Sequence, residues 1–214
     1  MEFLEPGIFR YVSSHTMEEN EFLRRIDRET HLYAMKPRMI SGHLQGRVLS
    51  MLAQMIHPKY VLEIGTYTGY SALCLAEGMD PAGKLVTIDK NEELEERVMG
   101  YFEASGFNDL IALKVGDASD IIPTLDYDWD LVFMDADKIN YKHYYQLLIG
   151  KMRSGSFMII DNVLWSGKVL EKNRKKLDPV TAAVIDFNDY VHQDPQVENV
   201  LFPIRDGLMV LRKL

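Results

Sequence analysis

Tyr60-Val-Leu-Glu-Ile-Gly-Thr-Tyr-Thr-Gly69 decides the fold. Five strand-forming residues run into a glycine turn, and a helical pattern near 69–78 begins at once. The same unit then repeats. Strands are predicted at 60–64, 84–89, 111–115, 131–135 and 156–160, with helices near 69–78, 92–105, 140–152 and 179–192. Strands that alternate with helices in this way are covered on both faces, which predicts a parallel, doubly wound sheet. Asn91, followed by Glu92, Glu93, Glu95 and Glu96, reads as a helix N-cap with acidic residues favoured by the helix dipole.

Upstream, residues 17–33 and 41–56 carry apolar side chains at helical spacing (Phe22, Leu23, Ile26; Leu44, Val48, Leu49, Leu52), interrupted by Lys36-Pro37-Arg38. Downstream, Val197 to Phe202 and Leu208 to Arg212 flank Arg205-Asp-Gly207, a hairpin pattern. The expected class is α/β: a Rossmann-like, doubly wound, mostly parallel seven-stranded sheet with a C-terminal antiparallel hairpin and N-terminal covering helices. No repeat, low-complexity tract or linker breaks the chain. One domain over 1–214 is therefore expected, with 1–56 as a helical cover and 57–214 as the core.

The 214 residues are 47% hydrophobic, enough for one sizeable core, and carry a formal net charge of -8. That balance disfavours a protein whose main work is neutralising nucleic-acid phosphates. Cys74 stands alone in the apolar run Ala72–Ala76, which excludes a disulfide framework and reads as buried filler. No signal peptide or membrane-spanning run is visible, so a cytoplasmic protein with no membrane partner is expected.

Two further stretches carry chemistry. Trp129-Asp-Leu-Val-Phe-Met-Asp-Ala-Asp-Lys138 and Ser156-Phe-Met-Ile-Ile-Asp-Asn-Val-Leu-Trp165 are apolar runs that end in oxygen-bearing side chains. Asp135, Asp161 and Asn162 would thus reach one sheet edge as two carboxylates and an amide, a donor set suited to Mg²⁺, or to Ca²⁺ or Mn²⁺. Near the first strand, Gly65 and Gly69 stand where open α/β sheets bind ligands, though not at dinucleotide-site spacing. Asp89 ends the second strand, where an acid commonly accepts hydrogen bonds from a ribose, and Glu63 adds a carboxylate inside the first. A cationic ribose-bearing ligand such as S-adenosyl-L-methionine suits the pair.

Glu63-Ile-Gly-Thr-Tyr-Thr-Gly-Tyr-Ser71, Asp135-Ala-Asp-Lys138 and Asp161-Asn-Val-Leu-Trp165 together resemble the signature segments of cation-dependent class I O-methyltransferases of the caffeoyl-CoA and catechol type, in their bacterial form. The resemblance runs from about Met39 to the C-terminus. It implies that Ser41, Glu63, Gly65, Thr66, Ser71, Asp89, Ala118 and Asp135 contact S-adenosylmethionine, and that the protein is a homodimer. The expected reaction is methyl transfer to one hydroxyl of a vicinal diol on a small aromatic acceptor.

Lys138 is the candidate general base, and Trp165, with Asp137, the candidate acceptor side. Tyr141, Tyr144 and Tyr145 offer a further aromatic wall, although ordinary helix packing is the expectation for the latter two. The basic run Lys168 to Lys176 leaves a second acceptor open, since similar bacterial proteins include enzymes acting on 5-hydroxyuridine in tRNA. Arg174, Lys175 and Lys176 would then contact RNA.

Overall fold

The computed structural model describes residues 5–171, 173 and 176–214. Its strands are β1 (Tyr60–Ile64), β2 (Lys84–Asp89), β3 (Ile111–Val115), β4 (Trp129–Met134), β5 (Met152–Ile160), β6 (Val197–Phe202) and β7 (Leu208–Lys213). They form a seven-stranded sheet in the order β3-β2-β1-β4-β5-β7-β6. β1 to β5 pair in parallel, and β7 inserts antiparallel between β5 and β6. The order reverses at β1, so the crevice between β1 and β4 is where such a sheet takes ligands.

Each strand is covered on both faces because its apolar residues alternate between two layers. Val61, Leu85, Leu131, Phe133 and Ile159 face one layer. There they meet α2 (Glu21–Tyr33), α3 (Gly42–Ile56), α4 (Tyr70–Ala76) and α5 (Glu95–Ser105). Leu62, Ile64, Val86, Ile88, Val132, Met134, Met158 and Ile160 face the other, under α6 (Ala118–Ile121), α7 (Tyr141–Ile149) and α8 (Pro179–Gln193). Glu63 therefore points into the first layer, between two buried apolar neighbours of its own strand.

Boundaries depart from expectation where polar residues have local partners. β4 starts at Trp129, two residues early, because the intervening Asp130 turns its carboxylate to the Lys59 and Tyr60 backbone N–H groups, both at 2.9 Å. β5 reaches back to Met152, which pairs with Trp129 across an irregular register. The first predicted cover helix begins at Glu21 rather than 17, since Asn20 accepts from Leu23 N at 2.9 Å and sets the cap. Asn91 caps a short 3-10 turn at Glu92–Leu94 that leads into α5. The first helix, α1 (Pro6–Ser14), and α6 were not anticipated; α1 has no buried residue, and α6, four residues long, is too short to show a period.

Cys74 is buried, as anticipated. Among the described residues no helix is long and apolar enough to cross a membrane. Tyr141 and Tyr145 pack edge-on against Phe187 of α8, with ring centroids 5.5 and 6.3 Å away. All three are fully buried. Phe187→Ala is expected to cost about 3–5 kcal/mol, read as a lower urea midpoint at unchanged slope.

Candidate active site

β1, β2, β4 and β5 end along one edge, and each hands a different group to it. After β1 the chain turns at Gly65, whose φ is +104°. A Cβ there would lie 2.1 Å from the Asp135 carbonyl oxygen, so only glycine lets the ends of β1 and β4 approach this closely. Beyond Gly65, Tyr67 donates its N–H to Asp89 Oδ2 at 2.7 Å, and Asn91 donates to Asp89 Oδ1 at 2.9 Å. The end of β2 is thereby tied to the loop after β1.

These loops enclose a cavity of about 590 Å³. Of the residues singled out in the sequence, Gly65, Asp89, Ala118, Asp135, Asp137, Lys138, Asp161, Asn162 and Trp165 line it. Ser41, Glu63, Thr66 and Ser71 stand behind the lining and are buried. Glu63 Oε2 accepts from the Thr87 hydroxyl, Thr87 is shared with Thr66, and Glu63 Oε1 makes no well-formed hydrogen bond among the described residues. Burial pushes the Glu63 carboxyl up to about 8, the Ser71 and Thr87 hydroxyls oppose the shift, and Asp135 and Asp89 add to it. A buried carboxylate with such an oxygen is an incompletely compensated polar group, and a cationic ligand beside it would remove the cost.

Asp135 leaves β4 with its N–H on Ile64 O, and its Oδ1 accepts from Lys138 Nζ at 2.8 Å. Lys138 therefore pairs with Asp135 rather than with Asp137. Asp137 instead accepts from Ile139 N and from Asn140 Nδ2, capping the 3-10 turn at Lys138–Asn140. Asp161, 3% exposed, accepts from Gln45 Nε2 at 2.6 Å and from Asn162 N at 2.6 Å. Burial first, and the Asp135 charge second, raise its carboxyl above the usual range. The two carboxylates thus repel one another across the site.

Asn162 takes a left-handed φ of +60°, a conformation asparagine tolerates better than most residues, and lines the cavity next to Asp161. Among the described residues no group of three or more His, Cys, Asp or Glu side chains is gathered for a metal. The anticipated donor set needs only two carboxylates and an amide carbonyl. Its chemistry fits a hard divalent cation, because positive charge between Asp135 and Asp161 would offset their mutual repulsion.

Trp165 (φ +44°) and Ser166 (φ +54°) continue in left-handed geometry. The turn before β7 holds them: Leu164 N donates to Asp206 O at 2.8 Å, and Ser166 N to Asp206 Oδ1. Tyr144 also lines the cavity, whereas Tyr141 lies beneath it and donates its hydroxyl to Asp161 O at 3.0 Å.

Residues 13–214 match the family model described as O-methyltransferase. The chain belongs to this O-methyltransferase family. Caffeoyl-CoA O-methyltransferase from Petroselinum crispum is 33% identical over 183 residues, which span 79% of this chain and 75% of the relative. Among solved structures, the O-methyltransferase TomG from Streptomyces achromogenes, in complex with SAM, is 28% identical with a TM-score of 0.86, covering 97% of this chain and 96% of that one. The SAH-bound methyltransferase PaMTH1 from Podospora anserina is 25% identical with a TM-score of 0.90, covering 100% and 98%. The protein is accordingly an S-adenosylmethionine-dependent O-methyltransferase with a Rossmann-like fold.

The sequence reading did not single out Gln45, Tyr67 or Asp206 for the site. Tyr67 contributes a backbone N–H, which any residue carries, and the other two arrive from distant elements. A pH dependence follows from Glu63. The folded chain keeps a proton that the unfolded chain releases, so this group's contribution is fully present below the ordinary carboxylate range and is lost as pH rises through about 8. In the ligand-free O-methyltransferase, Glu63→Gln should abolish that loss, giving a flatter urea stability profile between about pH 5 and about pH 8 than the wild type shows.

Proposed function

We propose that the protein methylates one of two neighbouring hydroxyls on a small aromatic ring, with a divalent cation held by Asp135, Asp161 and Asn162. The observation that carries this reading is the meeting of two mutually repelling carboxylates, an amide and a lysine on one wall of the cavity beside Gly65. The name of the Petroselinum relative, caffeoyl-CoA O-methyltransferase, supports a small aromatic acceptor. When bound, the cation would supply a Lewis acid and the donor an already activated methyl group.

The chain's own residues do the rest. Glu63 and Asp89 would hold the donor, Asp89 facing ribose hydroxyls and Glu63 matching positive charge, with Ser41, Gly65, Thr66, Ser71, Ala118 and Asp135 around it. Trp165 and Asp137 would set the acceptor ring so that its oxygen approaches the methyl carbon in line with the breaking C–S bond, an orientation effect that supplies much of the acceleration. Lys138 Nζ, as the neutral amine, would take the acceptor's proton. The ammonium so formed is matched by Asp135 at 2.8 Å. In that transfer the new O–C bond would replace the donor's S–C bond, whose electron pair would leave on sulfur. Exclusion of water falls to the loops after β4 and β5. The expected homodimer belongs to this reading and is read by sedimentation velocity.

Among the described residues no feature of the cavity favours an RNA acceptor over a small ring. Lys168, at the head of the basic run, pairs with Asp178 at 3.5 Å, while Lys172, Arg174 and Lys175 lie outside the described residues.

Labelled methyl transfer to catechols and to matched single-hydroxyl phenols, with Mg²⁺ or with chelator, tests the proposal. Turnover should require both the cation and the second hydroxyl, and Asp161→Asn should remove the stimulation by Mg²⁺. Equal rates in chelator would dismiss the cation, and equal rates on single-hydroxyl phenols would dismiss the diol. Lys138→Ala should lower kcat by about 100-fold, with the alkaline rise of the pH–rate profile altered; a profile and turnover like the wild type's would remove the lysine from the mechanism.

A further inference from the structure

Gln45 lies in the first turns of α3, has no exposed surface, and comes from the N-terminal cover rather than from the strand ends. Its Nε2 donates to Asp161 Oδ2 at 2.6 Å, and its Oε1 faces Arg205 Nη1 at 3.4 Å. The amide has one orientation that satisfies both neighbours, because a carboxylate demands a donor and a guanidinium demands an acceptor. Arg205 is itself fixed: Nη1 also donates to the Ile40 carbonyl at 3.0 Å and to the Ser41 carbonyl. The segment before α3, the turn before β7 and the end of β5 are thus linked through Arg205 and the buried Gln45.

The close fit of α3 makes this reach possible. A Cβ on Gly46 would stand 2.6 Å from Tyr70 Cε1 and 2.9 Å from Cys74 Sγ, so glycine there lets α3 settle against α4. Gln45 is carried inward with it. A buried amide in a helix, satisfied at one end by a charged guanidinium and at the other by a candidate ligand, has no packing advantage over an apolar residue of the same size. Its distinguishing property is the direction it imposes on Asp161.

We infer that Gln45 is a positioning residue, which holds the Asp161 carboxylate in the orientation needed to receive a divalent cation, with Arg205 aligning the amide from behind. The inference rests on the cation reading above and deepens it. With Oδ2 held by Gln45 and Oδ1 by Asn162 N, the carboxylate plane is set before any ion arrives, and each oxygen retains a free lone pair. Partners of this outer kind commonly govern metal affinity.

The test is a Mn²⁺ titration of the full chain followed by electron paramagnetic resonance, with S-adenosylhomocysteine binding measured by calorimetry without metal. Gln45→Met keeps the volume and removes both hydrogen bonds. It should weaken Mn²⁺ binding about tenfold while leaving S-adenosylhomocysteine affinity unchanged. Arg205→Met, which frees the far end of the amide, should weaken Mn²⁺ binding by a smaller factor and serves if Gln45→Met fails to fold. Wild-type Mn²⁺ affinity in a folded Gln45→Met protein would overturn the inference, as would equal losses of Mn²⁺ and S-adenosylhomocysteine affinity. Failure of the wild-type protein to bind Mn²⁺ at all would instead overturn the cation reading beneath it.

Discussion

The close approach of Gly65 to the carbonyl of Asp135 is the contact on which the rest of the site depends. β1 and β4 are neighbours in the sheet and run in parallel, so their ends must separate unless the residue after β1 has no side chain. With glycine there, the loop after β1 folds over the edge toward Asp89, and Asp135 is delivered beside it. The cavity opens between the two. A side chain at position 65 would part these ends and move the candidate donor and cation positions away from each other.

A second constraint is electrostatic. Glu63 and Asp161 are buried beside the half-buried Asp135, and the carboxyls of the first two are raised mainly by burial. Lys138 and Gln45 already offer partial compensation through hydrogen bonds to Asp135 and Asp161. Glu63 Oε1 makes no well-formed hydrogen bond among the described residues. Such an arrangement costs stability in the absence of ligands, and the cost is intelligible in a methyltransferase whose donor carries positive charge. Stability and function pull in opposite directions at these three positions.

The third feature is the way peripheral elements brace the loop after β5. Asp161 is held by α3 through Gln45 and by α7 through Tyr141, and the residues after it are held by the turn before β7. The left-handed backbone at Asn162, Trp165 and Ser166 persists because these neighbours fix it. The N-terminal helices and the terminal hairpin therefore belong to the site as much as to the fold.

The alternation of strands and helices was legible from Tyr60 onward because strands buried on both faces read as apolar runs, and Gly65, Asp89, Asp135 and Asp161 were legible because each stands just past such a run. Strand starts were less so: Asp130 looks like a break until its carboxylate is seen on the Lys59 and Tyr60 amides. Lys138 beside Asp137 gave no hint that its partner would be Asp135. Gln45 and Asp206 had no signal, since their roles depend on residues 116 and 40 positions away along the chain. The sequence by itself determined the layered α/β sheet, the family and which acidic residues reach its edge, because periodicity and strand-end position are local properties. Only the tertiary structure decided which carboxylates share a space and what holds them, because hydrogen bonds between distant elements follow from how helices and turns pack, and no local pattern records that.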